Sequence, residues 1–179
     1  AVGKDSLCVN QTGTFLVAMG QSALRNNTGS SNTAVGADAM FGNSSGSNNS
    51  AFGKFALNCN TTADNNAAVG YAAGCTITTG DENAFLGYRA GYNVTTGNCN
   101  IMIGSSACID SGGTNNSISM GYAVASINNA VTFGNNTTDS RIAFGATSIT
   151  APSDMRLKED IQDDTAGLSF INDLRPVTY

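Results

Sequence analysis

A column of glycines constrains this chain more than any other feature. Gly3, Gly20, Gly36, Gly53, Gly70, Gly87, Gly104 and Gly121 are spaced by 17, 16, 17, 17, 17, 17 and 17 residues, and shorter steps of 13 and 11 lead to Gly134 and Gly145. Self-similarity at a fixed period marks a stacked repeat, in which each unit buries its apolar surface only against its neighbours. The residue before each glycine is large and apolar: Val2, Met19, Val35, Phe52, Val69, Leu86, Ile103, Met120, Phe133 and Phe144. Two before it, alanine dominates, as at Ala1, Ala18, Ala34, Ala51, Ala68 and Ala143. Three before it stand Val17, Thr33, Ser50, Ala67, Ala84, Ile101, Ile118, Val131 and Ile142. Side chains alternate across a strand, so the first and third positions share one face and the alanines take the other. Both faces are largely apolar, which is the pattern of parallel sheets.

The rest of the unit fits a coil. A small column follows three residues after the glycine, at Ala23, Ala39, Ala56, Ala73, Ala90 and Ala107. Polar stretches such as Asn43-Ser44-Ser45-Gly46 and Thr78-Thr79-Gly80-Asp81 supply corner residues. Asn32, Asn49, Asn66, Asn83 and Asn100 form a further column four residues before the glycine, placed to hydrogen-bond up and down the stack. Each unit is expected to hold two short strands and two turns. Eight units at a spacing of about 4.8 Å would rise roughly 38 Å. The two prolines, Pro152 and Pro176, lie outside the repeat, which suits unbroken ladder bonding. The expected fold is therefore all-β, a parallel β-roll or β-helix of 17-residue repeats. One such coil encloses little volume, so the face of small side chains needs another cover. Two more copies of the chain, in a homotrimer, are the simplest one.

Composition narrows the function classes. Only 12% of residues are charged, and 22 Asn and 21 Gly stand in their place. Hydrophobic residues make up 41% and recur on a period, unlike those of a disordered chain. The net charge of −5 argues against nucleic acid and anionic membranes as partners. No run of about 20 apolar residues predicts membrane insertion. Ala1-Val2-Gly3-Lys4 does not read as a signal peptide, and it begins inside a repeat, so a fragment of a longer protein is expected. Histidine is absent, which removes Ser-His-Asp and Cys-His catalysis and most zinc sites. No cofactor or metal is expected.

The units Asn32-Thr33-Ala34-Val35-Gly36 and Asn49-Ser50-Ala51-Phe52-Gly53, with the turns Thr28-Gly29-Ser30-Ser31-Asn32 and Gly46-Ser47-Asn48-Asn49, resemble two known repeat types. One is the head repeat of trimeric autotransporter adhesins. The other, closer in pattern, is the repeat of phage and large-virus tail fibres. The resemblance covers about residues 1–148 and implies a homotrimer of parallel coils used for attachment.

Past Thr150 the chain changes character. Residues 149–179 carry nine charges and residues 1–148 carry twelve, so a second segment is expected over 149–179, with a boundary near Ala151-Pro152. Thr165 is placed to cap a short helix from Ala166 to Leu174, giving this segment a mixed α/β character. Ser153-Asp154-Met155-Arg156-Leu157-Lys158, and later Leu174-Arg175-Pro176-Val177-Thr178-Tyr179, resemble the opening of the endosialidase-type intramolecular chaperone of phage tail spikes and fibres. That resemblance implies a domain that assists trimer assembly and then cuts itself off between Ser153 and Asp154. Ser153 would be the nucleophile, Lys158 the general base, and Asp154 and Arg156 supporting residues. A serine hydroxyl needs a base, and a lysine whose pKa is lowered by burial can serve. Read without the family, Ser153 starts a turn and Lys158 is a solvated charge.

Other signals are weaker. Cys8, Cys59, Cys75, Cys99 and Cys108 form no CxxC pair and read as small buried thiols, with Cys59 and Cys75 placed to stack. Glycosylation sequons at Asn26, Asn43, Asn60 and Asn93 follow from an Asn/Thr-rich composition. Tyr71, Tyr88 and Tyr122 share the column just after the glycine, and with Tyr92 they offer a sugar-binding stripe. Ladder stacking is the plainer account of such a column.

The sequence thus predicts a structural attachment protein: a trimeric tail-fibre or adhesin segment, on a virion or at a cell surface, facing a host-cell glycan or protein receptor. An ice- or surface-binding β-solenoid is the alternative. It needs fixed threonine columns, and Thr61-Thr62, Thr78-Thr79 and Thr95-Thr96 lapse in other coils. Enzymatic activity is at most the self-cleavage of the C-terminal domain.

Overall fold

A computed structural model describes residues 1–146. Among these residues every regular element is a strand. The chain winds as a parallel β-solenoid in which each turn adds one strand to a single sheet. The strands are β1 (Val17–Met19), β2 (Thr33–Val35), β3 (Ser50–Phe52), β4 (Ala67–Val69), β5 (Ala84–Leu86), β6 (Ile101–Ile103), β7 (Cys108–Ile109), β8 (Ser117–Gly121), β9 (Ala125–Ser126), β10 (Ala130–Gly134) and β11 (Ser140–Ala143). The main sheet runs β1-β2-β3-β4-β5-β6-β8-β10-β11, and β7 pairs with β9 in a second, two-stranded sheet. Val2 continues the stack by bridging Met19. Register follows the repeat: Ala34 pairs with Ala51, Ala51 with Ala68 and Ala68 with Phe85.

Each coil from β1 to β5 has one strand of three residues, against the two strands expected. The second straight side is too sharply turned for extended pairing. Residues two and four past the glycine take left-handed backbone, as at Ser22 and Leu24 (φ 56° and 51°) and at Asp38 and Met40 (φ 55° and 51°). The coils still bond there, residue by residue: the Leu24 amide donates to the Ala39 carbonyl at 3.0 Å, and Met40 to Ala56 at 2.9 Å.

The glycine column has a plain cause. At Gly53 φ is +140°, and a β-carbon would lie 2.3 Å from the carbonyl oxygen of Gly70 in the next coil. Any side chain would push the coils apart.

The two apolar faces are reversed relative to expectation. The alanines point into the coil, where Ala34, Ala51 and Ala68 are fully buried. They pack against Ala23, Ala39 and Ala56 and against Leu24, Met40 and Leu57. The bulky residues before the glycines point out. The coil bore has room for one large column, which Leu24, Met40 and Leu57 fill from the opposite wall, so the strand lines it with alanine and turns its large side chains outward.

The sheet ends differently from the way the glycine column suggests. The 11-residue step to Gly145 is too short for a coil. Instead β11 turns back and pairs antiparallel with β10, setting Phe133 opposite Ser140 and Ala130 opposite Ala143.

Candidate functional site

Three surfaces of the rod hold side chains in columns. The first is a spine of buried asparagines. The Asn49 amide donates to Asn32 Oδ1 at 2.9 Å, Asn66 to Asn49 at 2.9 Å, Asn83 to Asn66 at 2.9 Å and Asn100 to Asn83 at 3.0 Å. Each Nδ2 then donates to a carbonyl of the coil above, such as Asn49 to Ala63 at 2.8 Å and Asn66 to Gly80 at 2.9 Å. The expected ladder is present, and it satisfies amides that the corner would otherwise bury unpaired.

A second ladder, two residues earlier, was missed in the sequence. Ser47 donates its amide to Asp64 Oδ1 at 2.6 Å, Asp64 to Asp81 at 2.7 Å, Asp81 to Asn98 at 2.7 Å and Asn98 to Asn115 at 2.7 Å. Its residues differ in type but share one acceptor oxygen on a short arm, which was the available signal. Here the lower coil donates upward, opposite to the asparagine spine.

The threonine column lapses at Ser44, but its line of hydroxyls continues. Thr28, Ser44, Thr61 and Thr78 form one hydroxyl column. Each donates to the carbonyl of the coil above, at 2.6, 2.8, 2.9 and 3.1 Å. Those four protons are committed within the rod.

The most consequential surface is the outer face of the sheet. Val17, Met19, Phe52, Val69, Leu86, Ile101, Ile103, Met120 and Phe133 are all exposed there, Leu86 by 51%. With the half-buried Val35 in the second coil, this apolar column continues up the stack. Monomeric soluble proteins seldom leave so large a contiguous apolar patch in water.

Beside the stripe stands the tyrosine column. Tyr71 and Tyr88 stack at 5.4 Å between centroids with planes 10° apart, and Phe55 meets Tyr71 edge-on at 5.9 Å. Lys54 Nζ lies 4.7 Å over Phe55, and the Arg89 guanidinium 5.0 Å over Tyr92. Tyr92 therefore belongs to a different contact from Tyr71 and Tyr88.

The cysteines depart from the expected buried thiols. Cys8, Cys59 and Cys99 are exposed, Cys75 is half-buried and Cys108 is buried; all five are free. Cys59 and Cys75 do adjoin, through the Cys59 amide and the Cys75 carbonyl at 3.2 Å. Burial pushes the Cys75 thiol up, Cys59 adds to this and Arg89 opposes it. Burial also raises Cys108. Asn43 and Asn60 are fully buried, so neither sequon is open to a glycan.

Ser153, Asp154, Arg156 and Lys158, and the helix expected from Ala166 to Leu174, lie outside the described residues. No curated protein and no solved structure matches the chain. Residues 153–179 match the family described as chaperone of endosialidase, and the match begins on Ser153.

Proposed function

We propose that this chain is a segment of a homotrimeric, tail-fibre-type attachment protein, carried on a virion or cell surface and presented to a host-cell receptor. The exposed apolar stripe carries the reading. A rod with one dry side needs a partner along its whole length. Copies of the same chain supply an equally long, equally spaced stripe. Three chains around an axis parallel to the stack bring all the stripes together and leave the polar corners in water. The number three follows from the resemblance to trimeric fibre repeats, and the chaperone match supports a fibre context. Residues 1–148 form the fibre segment and 149–179 open the assembly domain. In the complete parent protein that domain cleaves between Ser153 and Asp154, with Ser153 as nucleophile, Lys158 as base, and Asp154 and Arg156 in support.

Light scattering tests the assembly. The expected mass is three times the 18.2 kDa of one chain. Leu86→Asp, which puts a charge on the stripe, should yield monomers. A monomeric parent at micromolar concentration overturns the trimer. Mass spectrometry tests the cleavage in a protein carrying the whole C-terminal domain. A fragment ending at Ser153 is expected, and Ser153→Ala should stay whole; identical behaviour of the two rejects the assignment.

A further inference from the structure

We propose that Cys59 and Cys75 form a redox-closed clip: a small-molecule disulfide converts them to an intrachain disulfide that locks one coil to the next. Both residues sit at the same corner of the rod. The Asn60 amide donates to the Leu57 carbonyl at 3.1 Å, and the Ile77 amide to the Gly74 carbonyl at 3.1 Å, so the corner is a β-turn in each coil. Asn58 and Cys59 are the central residues of the lower turn, Cys75 and Thr76 those of the upper. Cys59 is exposed and Cys75 half-buried, and both thiols are free. The backbone stacks the two turns directly: the Cys59 amide donates to the Cys75 carbonyl at 3.2 Å. Thr76 thus stands one rise of about 4.8 Å above Cys59, and Cys75 is its chain neighbour, a step of about 3.8 Å to the side. That sets the two cysteine Cα atoms about 6 Å apart, within the roughly 4.4–6.8 Å that a disulfide spans. The thiols are close enough to interact: burial raises the Cys75 thiol first, and Cys59 next.

The other three cysteines do not compete. Cys8 lies three coils below Cys59, about 14 Å away, which is beyond the reach of a disulfide. Cys99 Sγ lies 3.4 Å from Glu82 Oε2 at another corner, and Cys108 is buried. The corner is also a junction. Asn60, next to Cys59, ends a column of buried asparagines with its Oδ1 unpartnered, because Ile77 replaces the next one. The clip therefore spans the coil contact that has lost a side-chain hydrogen bond. Exposure puts Cys59 first in the exchange. Its thiolate attacks one sulfur of the small disulfide, releases the first thiolate and keeps the other half as a mixed disulfide. The Cys75 thiolate then attacks the Cys59 sulfur and releases the second. Two protein thiols lose two protons and two electrons, and the small disulfide takes them up and leaves as two thiols. The bond closes a loop of 17 residues within one chain and does not rest on the trimer.

Mass spectrometry of the whole protein after incubation with oxidised glutathione tests the clip, with remaining thiols alkylated once the chain is unfolded. Cys59 and Cys75 share the tryptic peptide Phe55–Arg89, which holds no other cysteine. The clip is read as the loss of two hydrogens, with no alkylation, on that peptide. The melting temperature of the oxidised protein should rise by about 6–12 °C and fall back with dithiothreitol. Cys59→Ser should show no rise under the same treatment. Cys75→Ser should keep a glutathione adduct on Cys59, since the thiol that displaces it is gone. A persistent adduct on Cys59 of the parent, a bond from either residue to Cys8, Cys99, Cys108 or a second chain, or a closed bond with no rise in melting temperature would each overturn the proposal.

Discussion

The lower and upper coils of the rod fill the same interior in two different ways. Seven residues past the glycine, the lower coils place Asn27, Asn43 and Asn60, all fully buried. Asn43 donates to Asn27 Oδ1, and Asn60 donates to Asn43 Oδ1 at 2.7 Å. The next two coils place Ile77 and Val94 at that position, equally buried. The ladder therefore stops at Asn60, whose Oδ1 is buried without a partner. The upper coils also exchange sizes across the bore. Where the lower strands carry alanine and face Leu24, Met40 and Leu57, β5 carries Phe85, and the facing positions are Gly74 and Gly91. A β-carbon on Gly74 would come 2.5 Å from the Phe85 ring. One backbone coil thus accepts either a hydrogen-bonded or a hydrocarbon filling, provided that volume is conserved across the bore.

The strongest test of that exchange is Phe85→Ala. It should cost about 3–5 kcal/mol, because it removes the ring that fills two glycine gaps. Gly74→Leu alone should also destabilise, by collision with the ring. The double variant should recover part of the loss, since it rebuilds the lower-coil pairing of alanine with leucine. A double variant no better than the sum of the singles, by denaturant unfolding, would show that the upper coils are not interchangeable with the lower ones.

Asn66→Ala should cost about 2–6 kcal/mol. It leaves the Asn83 amide and the Gly80 carbonyl unpaired in the interior, at about 1–3 kcal/mol each. A loss under 1 kcal/mol would mean that the spine does not hold the corner.

How far these columns can be read from sequence depends on their chemistry. The asparagine spine is legible because one residue type repeats at one offset from the glycines. The second ladder mixes Ser47, Asp64, Asp81 and Asn98, and only the shared position of an oxygen unites them. The orientation of the strand was misread because both of its faces are apolar. Size decides it, and the limit on size comes from a bore that exists only once the coil is closed. Phe85 breaks the alanine column, and the reason, Gly74 and Gly91, is visible only in register. Gly145 matched the repeat by residue type and failed by spacing. The proposed cleavage residues were read from a motif alone, and they lie outside the described residues.

Ile77→Asn should have a smaller effect, a loss of about 1.5–3 kcal/mol, the apolar burial it removes. It gives Asn60 Oδ1 a donor but leaves the new side-chain oxygen buried against Val94 without one, so the hydrogen-bond terms cancel. A much larger loss would mean that the hydrocarbon filling has reshaped the coil around it.

The smallest effect expected is alkaline sensitivity of the upper coils, which hold Cys75 and Cys108. Burial raises both thiols in the folded chain above the usual value of about 8.5. Their contribution is therefore full below that pH and is lost as the pH rises through the folded values. Cys108→Ala should flatten the fall in melting temperature above about pH 9 by a few degrees. An unchanged slope would place the sensitivity elsewhere.

The antiparallel turn of β11 fixes more than an edge. Each coil touches only the coil above and the coil below, so an in-frame duplication of one unit lengthens the rod by a single rise of about 4.8 Å and disturbs nothing else. A strand that runs backwards cannot template another coil of the same kind. Among the described residues the stack therefore ends on a strand of opposite sense, and a unit added below it leaves that strand unchanged. Descendants can inherit a longer or shorter rod without redesigning what lies at either end.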